Sequence, residues 1–186
     1  MDELTKHFLN QNKDKAIFLI DSSAFCKFEE IQNVCGINLF LIMKNSPKYT
    51  FVMNNEVLME LIRGPRSLNL GFFMGHLINS EGAMDPNWKE NRFLIEENGE
   101  TRYIVLNKVS SVDYGQILFC QNHSEFILVT NDERMLKSAS RVIPGRIFGP
   151  PRLVEELLKL DPTNSDLKLI QSTAQQIYTF KHPFKK

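Results

Sequence analysis

The segment AIFLIDSSAF, residues 16–25, decides the fold, because an uninterrupted apolar run ends there at a single acidic residue. Its first five residues are apolar on both faces of an extended chain, which indicates a strand buried in a parallel sheet. The runs YTFVM at 49–53 and FILVT at 126–130 have the same character. Helix-like spacing follows each run, and buried strands alternating with helices predict βαβ units. We therefore predict an α/β fold, a three-layer α/β/α sandwich with a central, mainly parallel sheet.

Length and composition favour one globular domain with short additions. The chain has 186 residues, of which 42% are hydrophobic, and its 22 Lys and Arg balance its 22 Asp and Glu. This balance argues against a protein that coats nucleic acid through bulk positive charge. The 3 cysteines include no CxxC pair, which argues against a disulfide scaffold or a structural zinc site. The N-terminus lacks the pattern of a secretory signal, and the apolar stretch at 37–43 is too short to span a bilayer. We expect a soluble, cytoplasmic protein without membrane contact.

The pattern divides the chain into a polar N-terminal arm at 1–15, a main domain at 16–160, and a C-terminal helix with a basic tail at 161–186. Asn98-Gly99 lies between two alternating segments and predicts a β-hairpin at about 92–106. Apolar spacing predicts a helix over 66–80, and a short strand is expected within 141–148.

Acidic residues follow the predicted strands at the side where α/β proteins bind ligands. Asp21 ends the first strand, Glu56 and Glu60 follow the second, and Asp132 follows the FILVT strand. Asp113 lies in the first turn of a predicted helix. Carboxylates brought together repel one another, and a hard divalent cation such as Mg²⁺ or Mn²⁺ relieves that repulsion. One or two such ions can support hydrolysis of a phosphodiester.

Each acid also fits an ordinary structural role. Asp21 and Asp132 fit helix caps, and Asp113 fits a capping box with Ser110. The two glutamates fit a helix start and a solvated helix surface. Spacing alone leaves the structural and the catalytic interpretation open.

Five local strings, taken in order, resemble the PIN-domain ribonuclease family. FLIDSSAF resembles the opening strand with its aspartate, and VLMEL resembles the second acidic motif. VDYGQILFC and LVTNDERML resemble the third and fourth motifs, and IFGPPRLVEELLKL resembles the closing strand and helix. The resemblance covers about residues 16–160.

The resemblance implies helices around a central parallel sheet and metal-dependent cleavage of RNA. The acidic positions of the motifs match Asp21, Glu60, Asp113 and Asp132. The resemblance implies that these four residues bind Mg²⁺ or Mn²⁺ and are the catalytic residues. It also implies supporting roles: Ser23 and Thr130 orient the acids or water, and Asn131 supports the fourth acid or caps its helix. Glu56 is an alternative ligand to Glu60.

The first hypothesis is a metal-dependent endoribonuclease. The alternatives are a non-catalytic PIN-like module that binds RNA or protein, and the toxin of a toxin–antitoxin pair. The resemblance therefore also suggests a homodimer, or an antitoxin or other protein, as a partner. The arm, the hairpin insertion and the C-terminal helix depart from compact PIN toxins. Basic side chains near the predicted strand ends that carry the acids are candidates to bind RNA phosphates. Each of them also fits the role of an ordinary solvent-exposed charge. These cations are Lys27, Arg63, Arg66, Lys108, Arg134 and Lys137.

Overall fold

A computed structural model describes residues 3–64, 67–79, 89–107 and 109–181. Strands and helices alternate through most of the chain, as the sequence predicts. The α-helices are α1 (Glu3–Gln11), α2 (Ser22–Cys35), α3 (Leu39–Asn45), α4 (Asn55–Ile62), α5 (Ser111–Asn122), α6 (Glu133–Ala139), α7 (Pro150–Leu160) and α8 (Ser165–Lys181). The strands are β1 (Ala16–Ile20), β2 (Tyr49–Asn54), β3 (Leu77–Ile78), β4 (Arg92–Glu97), β5 (Glu100–Val105), β6 (Phe126–Val129) and β7 (Ile147–Phe148).

A parallel sheet of 5 strands in the order β3-β2-β1-β6-β7 forms the centre of the fold. The first apolar run, β1, is the middle strand, with Phe18 paired in register to Phe51 of β2 and to Ile127 of β6. The prediction of an α/β fold with buried parallel strands is confirmed. Because β1 has a strand on either side, the residue that follows it, Asp21, lies at the middle of the carboxyl edge of the sheet.

Apolar residues cover both faces of the sheet, since successive side chains of a strand point to opposite faces. Phe18 and Ile20 of β1 pack with buried residues of α2, α3, α4, α7 and α8. Ile17 and Leu19 pack on the other face with α1, α5, α6 and the hairpin strands. This arrangement is compatible with a three-layer sandwich. None of the helices in the described ranges combines the length and apolarity that crossing a bilayer requires.

Helices begin directly where the parallel strands end, and polar side chains cap them. Asp21 caps α2 after β1, and Asn54 caps α4 after β2. Asp132 caps α6 after β6, and Ser110 forms a capping box with Asp113 at the start of α5. A side chain that caps a helix accepts hydrogen bonds from backbone N–H groups that the helix itself leaves unpaired. Two of the candidate acids, Asp21 and Asp132, are therefore helix caps, and a third, Asp113, belongs to a capping box.

An antiparallel hairpin of β4 and β5 occupies the predicted position. Its turn has positive φ at Asn98 (55°) and Gly99 (80°), as the tight Asn-Gly turn requires. Phe93 is buried against the ring of Tyr114 of α5 at 4.4 Å between ring centroids. The Tyr114 hydroxyl donates to the carbonyl of Arg92 at 2.9 Å. The hairpin is thus attached to the helix that begins beside Asp113.

The predicted helix over 66–80 is wrong. Leu68–Phe73 form one short 3-10 helix, and Leu77–Ile78 form strand β3, while residues 66 and 80 lie outside the described residues. Gly75 has φ of 85°, which an α-helix does not accommodate, and it turns the chain toward the sheet edge. Residues 77–78 pair with β2 as a strand, although the spacing of apolar residues in this segment is typical of a helix.

Both predicted terminal segments join the central core. In the N-terminal arm, α1 buries Phe8, which is only 6% exposed. In the C-terminal segment, Leu167, Ile170 and Ala174 of α8 are fully buried in the same cluster as β1 and α2. The apolar faces of these two helices complete the two layers rather than forming separate units. The remaining residues of the basic tail lie outside the described residues.

Candidate functional site

Asp21 is buried at the carboxyl end of β1, with only 4% of its surface exposed. Its Oδ2 accepts hydrogen bonds from the hydroxyls of Ser23 (2.6 Å) and Thr130 (2.8 Å) and from the backbone N–H of Ser23 (3.3 Å). Charge-assisted hydrogen bonds of this kind offset the cost of burying a carboxylate. Asp21 is therefore held in one orientation by residues from the ends of both β1 and β6.

The two hydroxyls also accept hydrogen bonds from the chain that follows β6. Ser23 Oγ accepts from the backbone N–H of Asn131 at 2.9 Å, and Thr130 Oγ1 accepts from that of Asp132 at 3.1 Å. A hydroxyl has one proton to donate and can still accept, so both groups bridge Asp21 to this backbone. Ser23 and Thr130 thus hold the Asp21 carboxylate against the chain that follows β6. Asn131 contributes here through its main chain.

Sequence reasoning missed Gln116, a fully buried residue of α5. Its Nε2 donates to Asp21 Oδ1 at 3.2 Å. Gln116 follows Asp113 by three positions and so shares a helix face with it, which is the one signal in the sequence that could have pointed to it. Ser22 was missed as well: it contacts Asp21 and gives Glu60 a hydrogen bond.

Glu60 and Asp113 lie close enough to the other acids to interact with their charges. Partial burial is the main reason that the pKa of Glu60 is raised, and the charges of Asp21, Asp113 and Glu56 raise it further. Burial likewise raises the pKa of Asp113, and the charges of Asp21 and Asp132 add to this effect. Hydrogen bonds from Ser22 to Glu60 and from Ser110 to Asp113 act in the opposite direction. The predicted acids therefore form one electrostatically coupled cluster.

Two surface pockets lie beside this cluster. One is lined by Glu56, Glu60 and Arg63 of the α4 segment together with Val112 of α5, and has a volume of about 330 Å³. A smaller one between α5 and α6 is lined by Asp113, Asp132 and Arg134, among others. Carboxylates thus face solvent-accessible space in both pockets, and each pocket has one arginine at its wall.

The cluster is not a preformed metal cage. Within residues 3–64, 67–79, 89–107 and 109–181, no three His, Cys, Asp or Glu side chains are arranged to hold one metal ion together. The donor chemistry nevertheless fits a hard divalent cation, because coupled carboxylates and amide oxygens are the ligands that such ions prefer. Burial is the main cause of the raised pKa values of Glu60 and Asp113, and a cation would relieve the repulsion between carboxylates that adds to it.

The predicted phosphate-binding cations are distributed unevenly. Arg63 and Arg134 line the two pockets, and Lys137 is exposed on α6, 4.0 Å from Glu133. Lys27 is buried, with its Nζ 2.7 Å from Glu30 Oε2, so it is not placed to meet a phosphate. The other two predicted cations, Arg66 and Lys108, lie outside the described residues.

No family model, curated protein or solved structure matches this chain.

Replacing Asp113 by Asn is expected to stabilise the metal-free protein at pH 7. The raised pKa means that the folded state binds this proton more tightly than the unfolded chain does. The resulting stability is present at acidic pH and is lost as pH rises through the folded-state pKa. Removing the charge should therefore raise the melting temperature at pH 7.

The gain should shrink as pH is lowered toward about 4, the pKa of a free aspartate. Thermal denaturation in a chelating buffer measures the effect, with Asp166→Asn in the first turn of α8 as the matched control. Asn can keep the bond to the Ser110 N–H, so the cap survives the change. A melting temperature of the Asp113 variant at or below that of the control contradicts the coupling.

Replacing Thr130 by Val is expected to lower the free energy of unfolding by about 1.5–3 kcal/mol, as for loss of a hydrogen bond to a charged group. The variant keeps the side-chain shape but removes the donor to Asp21 Oδ2 and the acceptor for the Asp132 N–H. Urea unfolding measures the change. Thr50→Val, at a buried position of β2, is the matched control, and equal losses in both variants would refute a special role for the Thr130 hydroxyl.

Proposed function

We propose that the chain is a metal-dependent endoribonuclease that hydrolyses RNA phosphodiester bonds. The observation that carries the proposal is the cluster in which Asp21, Glu60, Asp113 and Asp132 are coupled at the carboxyl edge of a parallel sheet. Ligands of open α/β sheets bind beyond this edge. The ordered motif resemblance to PIN-domain ribonucleases supplies the substrate class and the reaction.

In this proposal the four acids hold Mg²⁺ or Mn²⁺, with Glu56 as an alternative ligand from the wall of the same pocket as Glu60. When bound, the ion would activate water and stabilise the charge that develops on the phosphate. Ser23 and Thr130 keep the Asp21 carboxylate oriented through short hydrogen bonds to Oδ2. The chain thus supplies a rigid acid at the centre and more exposed acids around it.

Arg63 and Arg134 are the cations best placed to contact the substrate. Each lines a pocket that also contains an acid of the cluster. An arginine can bind a phosphate through two parallel hydrogen bonds, which positions the strand without reading its sequence. We assign to them the phosphates that flank the cleaved bond, with Lys137 farther along α6.

A non-catalytic binding module is the second candidate, and two observations favour it. The described residues contain no preformed site for a metal ion. The hairpin also exposes apolar side chains on one face, with Leu94 at 48%, Tyr103 at 59% and Val105 at 54%. Such residues are typical of interaction surfaces. In this case the hairpin, rather than the acids, would contact RNA or a protein. The sequence analysis predicts an antitoxin or a second copy of the chain as candidate protein partners, and both remain predictions.

Asp21→Asn and Asp132→Asn should each lower Mn²⁺-dependent cleavage of a labelled single-stranded RNA by at least about 100-fold while the fold is kept. Loss of residues that only support metal ligands already costs 10–100-fold, so loss of a ligand should cost more. Asparagine is a good helix cap, and α2 and α6 should therefore survive these changes. Asp166→Asn is the control for an acidic residue away from the cluster.

Calorimetric titration with Mn²⁺ separates the two candidates. The nuclease proposal predicts binding by the unmodified protein and weaker binding by both asparagine variants. Absence of heat at millimolar Mn²⁺, or full cleavage by the purified variants, would reject the proposed roles of the acids and favour the binding module.

A further inference from the structure

The two oxygens of Asp21 have different surroundings. Oδ2 accepts three hydrogen bonds, from the Ser23 hydroxyl, the Ser23 N–H and the Thr130 hydroxyl. Oδ1 accepts the Gln116 amide at 3.2 Å and has a long contact of 3.5 Å with the Ser22 hydroxyl. A carboxylate oxygen has about two lone-pair sites, so Oδ2 is fully used. Oδ1 is the oxygen with capacity for a cation, and Gln116 is the side chain that fixes its position.

Gln116 itself is only half satisfied. Its side chain is fully buried, and among the described residues its Oε1 has no hydrogen-bond partner. A buried polar atom without a partner costs about 1–3 kcal/mol, so such atoms call for an explanation. Oε1 belongs to the same amide whose Nε2 donates to Asp21 Oδ1, so it lies within one amide group of that contact.

The chemical type of residue 116 suits a site that already carries too much negative charge. An amide donates to Asp21 through nitrogen and offers an oxygen without adding a charge. A glutamate of the same shape would add one more carboxylate to acids that already repel one another. Hard cations accept amide oxygens as well as carboxylates as ligands.

We propose that Gln116 is a positioning residue that holds Asp21 Oδ1 toward the divalent cation and presents its own Oε1 to that cation as a neutral oxygen donor. The inference rests on the proposed function, since it concerns the same cation. It assigns a role to a residue that the motif resemblance does not include. Gln116 then explains how one turn of α5 connects Asp113 to Asp21, across 95 positions of sequence.

Gln116→Met tests this inference through Mn²⁺ affinity measured by calorimetry. Methionine keeps the length of the side chain and removes both amide atoms, so Mn²⁺ binding should weaken by about 10–100-fold. Gln121→Met is the matched control, because Gln121 lies on the same helix and its amide contacts the hairpin carbonyl of Leu94 instead. The control should bind Mn²⁺ as the unmodified protein does.

Gln116→Glu provides a second test that needs no activity measurement and covers the case in which the methionine variant fails to fold. The added carboxylate should lower the melting temperature in a chelating buffer through repulsion from Asp21. Saturating Mn²⁺ should then raise the melting temperature of this variant more than that of the unmodified protein, because the new oxygen faces the cation.

The outcomes separate this inference from the proposal on which it rests. If the unmodified protein binds Mn²⁺ and Gln116→Met binds it equally well, the role of Gln116 is overturned and the nuclease proposal stands. A Mn²⁺-induced rise for Gln116→Glu no larger than that of the unmodified protein overturns it as well. If the unmodified protein does not bind Mn²⁺, both proposals fail.

Discussion

The structure depends on keeping one carboxylate satisfied at the end of its central strand. Asp21 follows β1, the middle strand of the sheet, and is 4% exposed. A buried charge without partners would cost several kcal/mol, so the chain must supply donors there. It supplies them from three places: the start of α2, the end of β6 and the middle of α5. The same hydrogen bonds that make the burial tolerable therefore join both helix layers to the carboxyl edge of the sheet.

The other carboxylates near Asp21 carry unfavourable interactions that reduce the stability of the fold. Burial is the largest cost of ionising Glu60 and Asp113; the charges of Asp21 and Asp113 add to it at Glu60, and those of Asp21 and Asp132 add to it at Asp113. Helix N-termini offset part of this cost, since Asp21 and Asp132 cap α2 and α6, and Asp113 lies in the first turn of α5. A surface selected for stability alone would separate these charges. Their proximity is therefore the feature of the site on which the proposal of a bound cation rests.

Much of the fold was predictable because its strongest signals are local. The runs at 16–20, 49–53 and 126–130 are buried strands, and Asn98-Gly99 makes the expected hairpin. The segment at 66–80 was not predictable in this way, because pairing with the edge of β2 decides its conformation. The burial of Lys27 beside Glu30 and the contact of Gln116 with Asp21 depend on packing, for which periodicity gives no distances. Sequence thus located the acids and the hydroxyls of Ser23 and Thr130, but not the amide of Gln116.

The structural and the catalytic interpretations of the acids do not exclude each other. The helix caps that the sequence suggested are present, yet each uses a particular oxygen. Asp132 accepts both N–H groups of its cap through Oδ1, whereas Asp113 closes its capping box through Oδ2. Asp21 meets its cap and the threonine through Oδ2. In each case the cap fixes the rotamer through one oxygen and leaves the other outside the cap. Capping therefore orders the acids at low entropic cost, which is the preorganisation that a cation site requires.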